Sequence, residues 1–175
     1  MSDQVNISGL ITVKVQFRDS SGDWTGSLQK LGESLDMIDI EERVYTHNVP
    51  GDRYGGPQGP PIEQQFLGEI HVVRMELSRW DPTVWDLVRK RGVRSAAGSH
   101  ASGDVGKLLL QDRSIRLLLD CATRPVNYPC ALVNSSLQYA KGTKFTSVSL
   151  QCECHVCQTG DQANVLWDRT TTAYT

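Results

Sequence analysis

Between Leu10 and Phe17 apolar and polar residues alternate: Ile11, Val13, Val15 and Phe17 share one parity, and Thr12, Lys14 and Gln16 the other. A period of two is the pattern of a strand with one face on a core. It returns in Ile70 to Ser78, where Val73, Met75 and Leu77 oppose Arg74, Glu76 and Ser78. The period then changes. Asp81 is placed to cap a helix and Pro82 suits its first position. Val84, Leu87 and Val88 share a face, and Arg89, Lys90 and Arg91 lie where the dipole favours cations before Gly92. A strand leading straight into a helix laid against the sheet is the clearest prediction the pattern makes.

Trp24 to Glu33 predicts a short strand ending near Leu31 and Gly32. Met37 to Tyr45 predicts another, with Ile38, Ile40 and Val44 apolar on a segment that also holds Asp36, Asp39, Glu41 and Glu42. Pro50 to Pro61 breaks the pattern, because its prolines and glycines oppose both helix and ladder, and a long loop in a compact chain is often functional. Gly92 to Gly106, rich in Ser, Ala and Gly, reads as a second flexible connector. The second half predicts strands at Leu108–Leu110, Ile115–Leu119, Cys130–Tyr139 and Phe145–Cys157, with Pro125 and Pro129 as punctuation before the third. Ala163, Val165 and Trp167 predict a closing strand, and Thr170 to Thr175 a mobile or docking tail. Many strands and one helix predict a mainly β fold: a β-sandwich or barrel with one flanking α-helix and long Gly/Pro-rich loops.

Length and charge narrow the function. A chain of 175 residues suits one domain, residues 1–175, and its apolar runs are too short to span a membrane as a helix. Met1 to Gly9 is polar and lacks the features of a secretion signal, so folding in a cytoplasm, without disulfides, is expected. A net charge of −2 argues against a surface that grips nucleic acid, yet permits one that surrounds DNA without binding it specifically.

No constellation makes a legible active site. Cys152, Cys154, His155 and Cys157 suggest zinc, with Cys121 or Cys130 completing the set. Strand parity, however, puts Cys152 and Cys154 on the apolar face and His155 and Cys157 on the other, so buried reduced cysteines are expected and no metal or other cofactor. His47, His71, His100 and His155 are scattered, no serine lies in a nucleophile elbow, and Gly55, Gly56 and Gly59 lack the lysine of a phosphate loop. No catalytic residue is therefore assigned. Asp36, Asp39, Glu41 and Glu42 read as a solvated acidic face, or as one that repels a passing polyanion. The Gly/Pro loop is either a tolerated insertion or an arm that docks on a neighbouring subunit. Arg89, Lys90, Arg91 and Arg94 are assigned to dipole complement and solubility, with pairing to another protomer as the alternative.

Taken in order, Leu31-Gly32-Glu33, the Gly/Pro loop, Leu67-Gly68-Glu69, Asp81-Pro82, Gly142-Thr143-Lys144 and Val165-Leu166-Trp167-Asp168 resemble the layout of tailed-bacteriophage tail tube proteins. The resemblance implies a noncatalytic virion protein, assembled in the host cytoplasm, whose hexameric rings stack into a tube around a channel for DNA ejection. Its partners would be copies of itself and other phage structural proteins, with no membrane. It also implies a subunit-interface loop at Pro50, Gly51, Arg53, Tyr54, Gly55, Gly56, Pro57, Pro60 and Pro61, and lumen-facing carboxylates among Asp36, Asp39, Glu41 and Glu42. The Gly92–Gly106 connector and the five cysteines depart from that pattern, leaving room for a head-to-tail connector, baseplate or capsid decoration protein. A small enzyme or zinc-stapled binding module using Cys152, Cys154 and Cys157 is the alternative of a different class.

Overall fold

The structure is a computed structural model that describes residues 10–18, 23–34, 36–50, 61–89, 114–122, 124–133, 138–139, 147–157 and 162–174. Its strands are β1 (Ile11–Arg18), β2 (Trp24–Ser34), β3 (Asp39–Pro50), β4 (Pro61–Leu77), β5 (Arg79–Trp80), β6 (Ile115–Asp120), β7 (Val126–Leu132), β8 (Gln138–Tyr139) and β9 (Val148–Cys154), with one helix, α1 (Pro82–Arg89). All pairings are antiparallel, in the order β3-β4-β9-β7-β6-β1-β2-β5, with β8 on β9. The expected mainly β architecture with one flanking helix is what forms.

The chain closes the sheet upon itself at a single residue. Past Leu77 it continues through Ser78 into β5, which pairs with β2 at Gly32 and Glu33, while the Ser78 amide donates to the Glu33 carbonyl at 3.0 Å. The edge of β4 that holds β3 as far as Arg74 is thereby handed over to β2. The inward parities of this rolled sheet supply Val13, Val15, Leu31, Val73, Leu77, Leu117, Leu119, Tyr128, Val148 and Leu150 to one core. Helix α1 adds Val84, Trp85 and Val88, its start fixed by Asp81, whose Oδ1 accepts from the amides of Thr83 and Val84 at 2.8 and 3.2 Å.

Four sequence expectations need correction. Strand β4 begins at Pro61, well before Ile70: residues 61–69 pair with β3 alone, and Glu63 to Leu67 are exposed on both parities, so no period marks them. Pro129 lies inside β7: between Ile115 and Leu117 the register with β7 shifts, and that bulge receives a residue with no amide to donate. Residues 162–174 form a turn and an irregular segment rather than a strand: among the described residues their one β-bridge to the sheet is Asn127–Asp168, and Asn164 adopts a left-handed φ of 67° through which no strand continues. Cys130 and Cys157 form a disulfide, against the expectation of reduced cysteines throughout. The strand predicted at Leu108–Leu110, the Gly92–Gly106 connector, Lys90, Arg91, Arg94 and His100 lie outside the described residues.

Candidate functional site

Two features stand apart from the core. The first is an arm built from residues 44–50 of β3 and 61–69 of β4, which extends past the point where β9 joins β4 at His71. Its strands meet from Tyr45↔Gly68 to Pro50↔Pro61, and a bulge beside Gly68, whose φ is +145°, leaves Leu67 without a partner across the ladder. Val44, Tyr45, Phe66 and Leu67 are each about half or more exposed, Phe66 and Leu67 at 61%. Among the described residues nothing pairs with the outer edge of β3, and before His71 β4 pairs with β3 alone. A two-stranded ribbon is marginal alone in water, and an unpaired edge beside large exposed apolar groups is a template on which another strand can pair.

The base of the arm carries the acidic group. Arg74 donates to Asp39 at 3.2 Å and to Glu41 at 2.6 Å, and Arg43 donates to Glu41 at 2.7 Å. Hydrogen bonds first from Arg43 and then from Arg74 draw the Glu41 carboxyl down to about 2. Two carboxylates thus oppose two guanidiniums, so this face is locally neutral. Glu42 has the opposite parity and approaches His71 at 3.9 Å, and Asp36 is exposed in the turn before β3. The four residues therefore do not converge. Of the sequence-predicted interface loop, Pro50 and Pro61 close the arm as ladder partners, while Gly51, Arg53, Tyr54, Gly55, Gly56, Pro57 and Pro60 lie outside the described residues.

The second feature was missed by sequence reasoning. On the outer face of β1, β6 and β7 the side chains of Gln16, Arg116 and Asn127 are completely buried under the C-terminal segment. Arg116 donates to Asn127 Oδ1 at 2.6 Å, Gln16 Oε1 at 3.2 Å, and the carbonyls of Thr170 and Thr172 at 2.8 and 2.6 Å. Gln16 also donates to the Tyr174 carbonyl and accepts from its amide. Asp168 accepts from Asn127, Tyr174 and the Thr170 amide, and the Tyr174 ring lies 3.8 Å from the Arg116 guanidinium. Burial pushes the Arg116 pKa below its ordinary value, and the strap's carbonyls supply the hydrogen bonds that hold the charge there. One signal was available: Arg116 interrupts the apolar run Ile115–Leu119.

The remaining candidates disperse. Cys152 and Cys154 face the core, where burial pushes the Cys152 thiol up to about 12 and the Cys154 thiol up as well. Cys157 is bonded to Cys130, so the three cysteines of the zinc alternative do not converge. His71 shares a hydrogen bond of 3.1 Å with the Tyr128 hydroxyl, His155 lies 3.7 Å from Glu153, and His47 is exposed on the arm.

Among solved structures, the chain is similar to one from the tail of an empty gene transfer agent particle, refined helically with C6 symmetry. The TM-score is 0.46 at 13% identity, over 92% of this chain and 96% of that one. It is also similar to a chain from the virion of a native gene transfer agent particle, with a TM-score of 0.43 at 12% identity, covering 82% and 89% of the two chains. No protein-family model matches the sequence, and neither does any curated protein.

Proposed function

We propose that this chain is a noncatalytic structural subunit of a phage-like tail, a tail tube protein whose copies form stacked hexameric rings around a channel for DNA ejection. The observation that carries the reading is the arm: a ribbon with unpaired edges and with Val44, Tyr45, Phe66 and Leu67 exposed, which a solitary protein has no physical reason to keep. The choice of a tail tube among self-assembling proteins rests on the sequence resemblance. A head-to-tail connector, baseplate or capsid decoration protein would use the same arm in a different ring.

In this reading the arm packs on neighbouring copies, beyond the Pro50–Pro61 pair as well as along its edges. Asp36 and Glu42 face the channel, and Asp39 and Glu41 lock the arm's base through Arg74. Repulsion from wall carboxylates keeps a passing polyphosphate from sticking. The double substitution Phe66→Ser with Leu67→Ser tests it, because both side chains lie outside the core. It leaves thermal unfolding unchanged and abolishes high-mass species in sedimentation velocity. Unchanged assembly by this variant contradicts the arm's role.

A further inference from the structure

The disulfide joins β7 to the root of the C-terminal strap, residues 162–174. Cys130 lies on β7, three residues from Asn127, which bridges to Asp168. Cys157 fixes the other end: its amide donates to the Val165 carbonyl at 3.2 Å, and its carbonyl accepts from the Asn164 amide at 2.8 Å. Leu166 is buried just beyond. The Arg18 guanidinium and the Ser114 hydroxyl each stand 3.8 Å from Cys130 Sγ, and Arg18 brings a positive charge to that sulfur. Arg18 also stacks at 3.8 Å over the Trp24 ring. Trp24 in turn donates to Gln162 at 3.3 Å and packs on Tyr174 at 5.6 Å. One cation thus touches both the redox sulfur and the aromatic group that holds the strap.

We propose that Cys130–Cys157 is a thiol–disulfide exchange site that locks the C-terminal strap, with Cys130 as the attacking sulfur and a low-molecular-weight disulfide such as oxidised glutathione as its co-substrate. In the reduced chain Arg18 and Ser114 stabilise the Cys130 thiolate, which attacks the reagent. The reagent's S–S bond breaks, one glutathione thiolate leaves, and a mixed disulfide forms on Cys130. Cys157 gives its proton to solvent and attacks the Cys130 sulfur. The protein disulfide forms and the second glutathione thiolate departs. Two electrons pass from the cysteine pair to the reagent, and the two protons given up by the cysteines are taken up by the two glutathione thiolates. Cys152 and Cys154 take no part, because deep burial holds both as thiols.

The strap suits such a lock. Between Thr170 and Tyr174 it is held mainly by hydrogen bonds to Gln16, Arg116 and Asn127, so lifting it uncovers groups that water can satisfy. Because both sulfurs are buried, reductant reaches them only when the strap's root opens, which couples redox state to strap docking.

Trypsin cleavage after the exposed Arg169, followed on the full chain by intact mass, reads the coupling. With the disulfide formed, cleavage is slow; after mild reduction it accelerates by about tenfold or more, within what release of a disulfide constraint allows. The barrel's circular dichroism stays unchanged. A Cys130→Ser/Cys157→Ser variant is cut at the fast rate with or without reductant. In the reduced wild type Cys130 alkylates before Cys152 and Cys154, and Arg18→Gln slows that alkylation and slows re-oxidation by glutathione disulfide. Equal cleavage rates in the two redox states, or alkylation of Cys130 no faster than of Cys152 and Cys154, overturns the proposal.

Discussion

A β-carbon on Gly32 would stand 2.5 Å from the carbonyl oxygen of Arg79, and 3.2 Å from the Trp80 α-carbon. Both neighbours that matter are backbone, so they cannot swing aside as a side chain would. This contact is where β5 seals the rolled sheet against β2. Gly32→Ala is therefore expected to destabilise the chain by about 2 kcal/mol or more, as overpacking against fixed atoms does. Urea unfolding measures it; an unchanged midpoint would show that the seam is loose.

Arg116 tests the strap's socket. Arg116→Leu removes the donor to Thr170, Thr172, Gln16 and Asn127 together, leaving buried acceptors unpaired. The expected loss is about 3 kcal/mol. Hydrogen exchange should show the loss concentrated in 168–174 and the facing parts of β6 and β7. Uniform loosening across the sheet would contradict a localised socket.

How far the sequence reveals this fold follows from where the core lies. Strand β1 and the second half of β4 alternate because one face of each packs on the hydrophobic core, and Asp81-Pro82 announces α1 by its capping chemistry. In the arm half of β4, Glu63 to Leu67 are exposed on both parities, so no period marks them, and Pro61 and Gly68 hide the strand further. The closing segment misleads in the other direction: Ala163, Val165 and Trp167 alternate, yet Trp167 is exposed and Asn164 turns the backbone left-handed. The disulfide was half visible. Parity placed Cys157 away from Cys152 and Cys154, but its partner lies 27 residues earlier on another strand, and only the β7–β9 pairing brings them together. Of the predicted site residues, Asp39 and Glu41 share one charge network and the others do not, since the guanidiniums that organise it come from Arg43 and Arg74, one of them on a different strand.

Acid should loosen the base of the arm. The Glu41 carboxyl is depressed by Arg43 and Arg74 to about 2. Its stabilising effect is therefore complete above its ordinary range near about 4.3 and is lost as pH falls from there towards 2. Amide exchange in Ile40–Val44, corrected for intrinsic rates, should rise relative to β1 as pH falls from about 4 towards about 2. Glu41→Gln should remove most of that dependence; a variant with the wild-type profile would exclude Glu41 as its source.

The segment joining Pro50 to Pro61 separates folding from assembly. Pro50 and Pro61 are ladder partners, so replacing residues 51–60 with an Asn-Gly turn closes the hairpin without disturbing the barrel. The shortened chain should unfold at the wild-type temperature and fail to form rings or tubes. Wild-type assembly from it would remove that segment from the interface.

Electron microscopy of the purified chain over a range of concentrations tests self-assembly through the arm most directly. The account predicts rings or hollow filaments, lost when Phe66 and Leu67 become serine. A chain that remains a monomer at every concentration would contradict it.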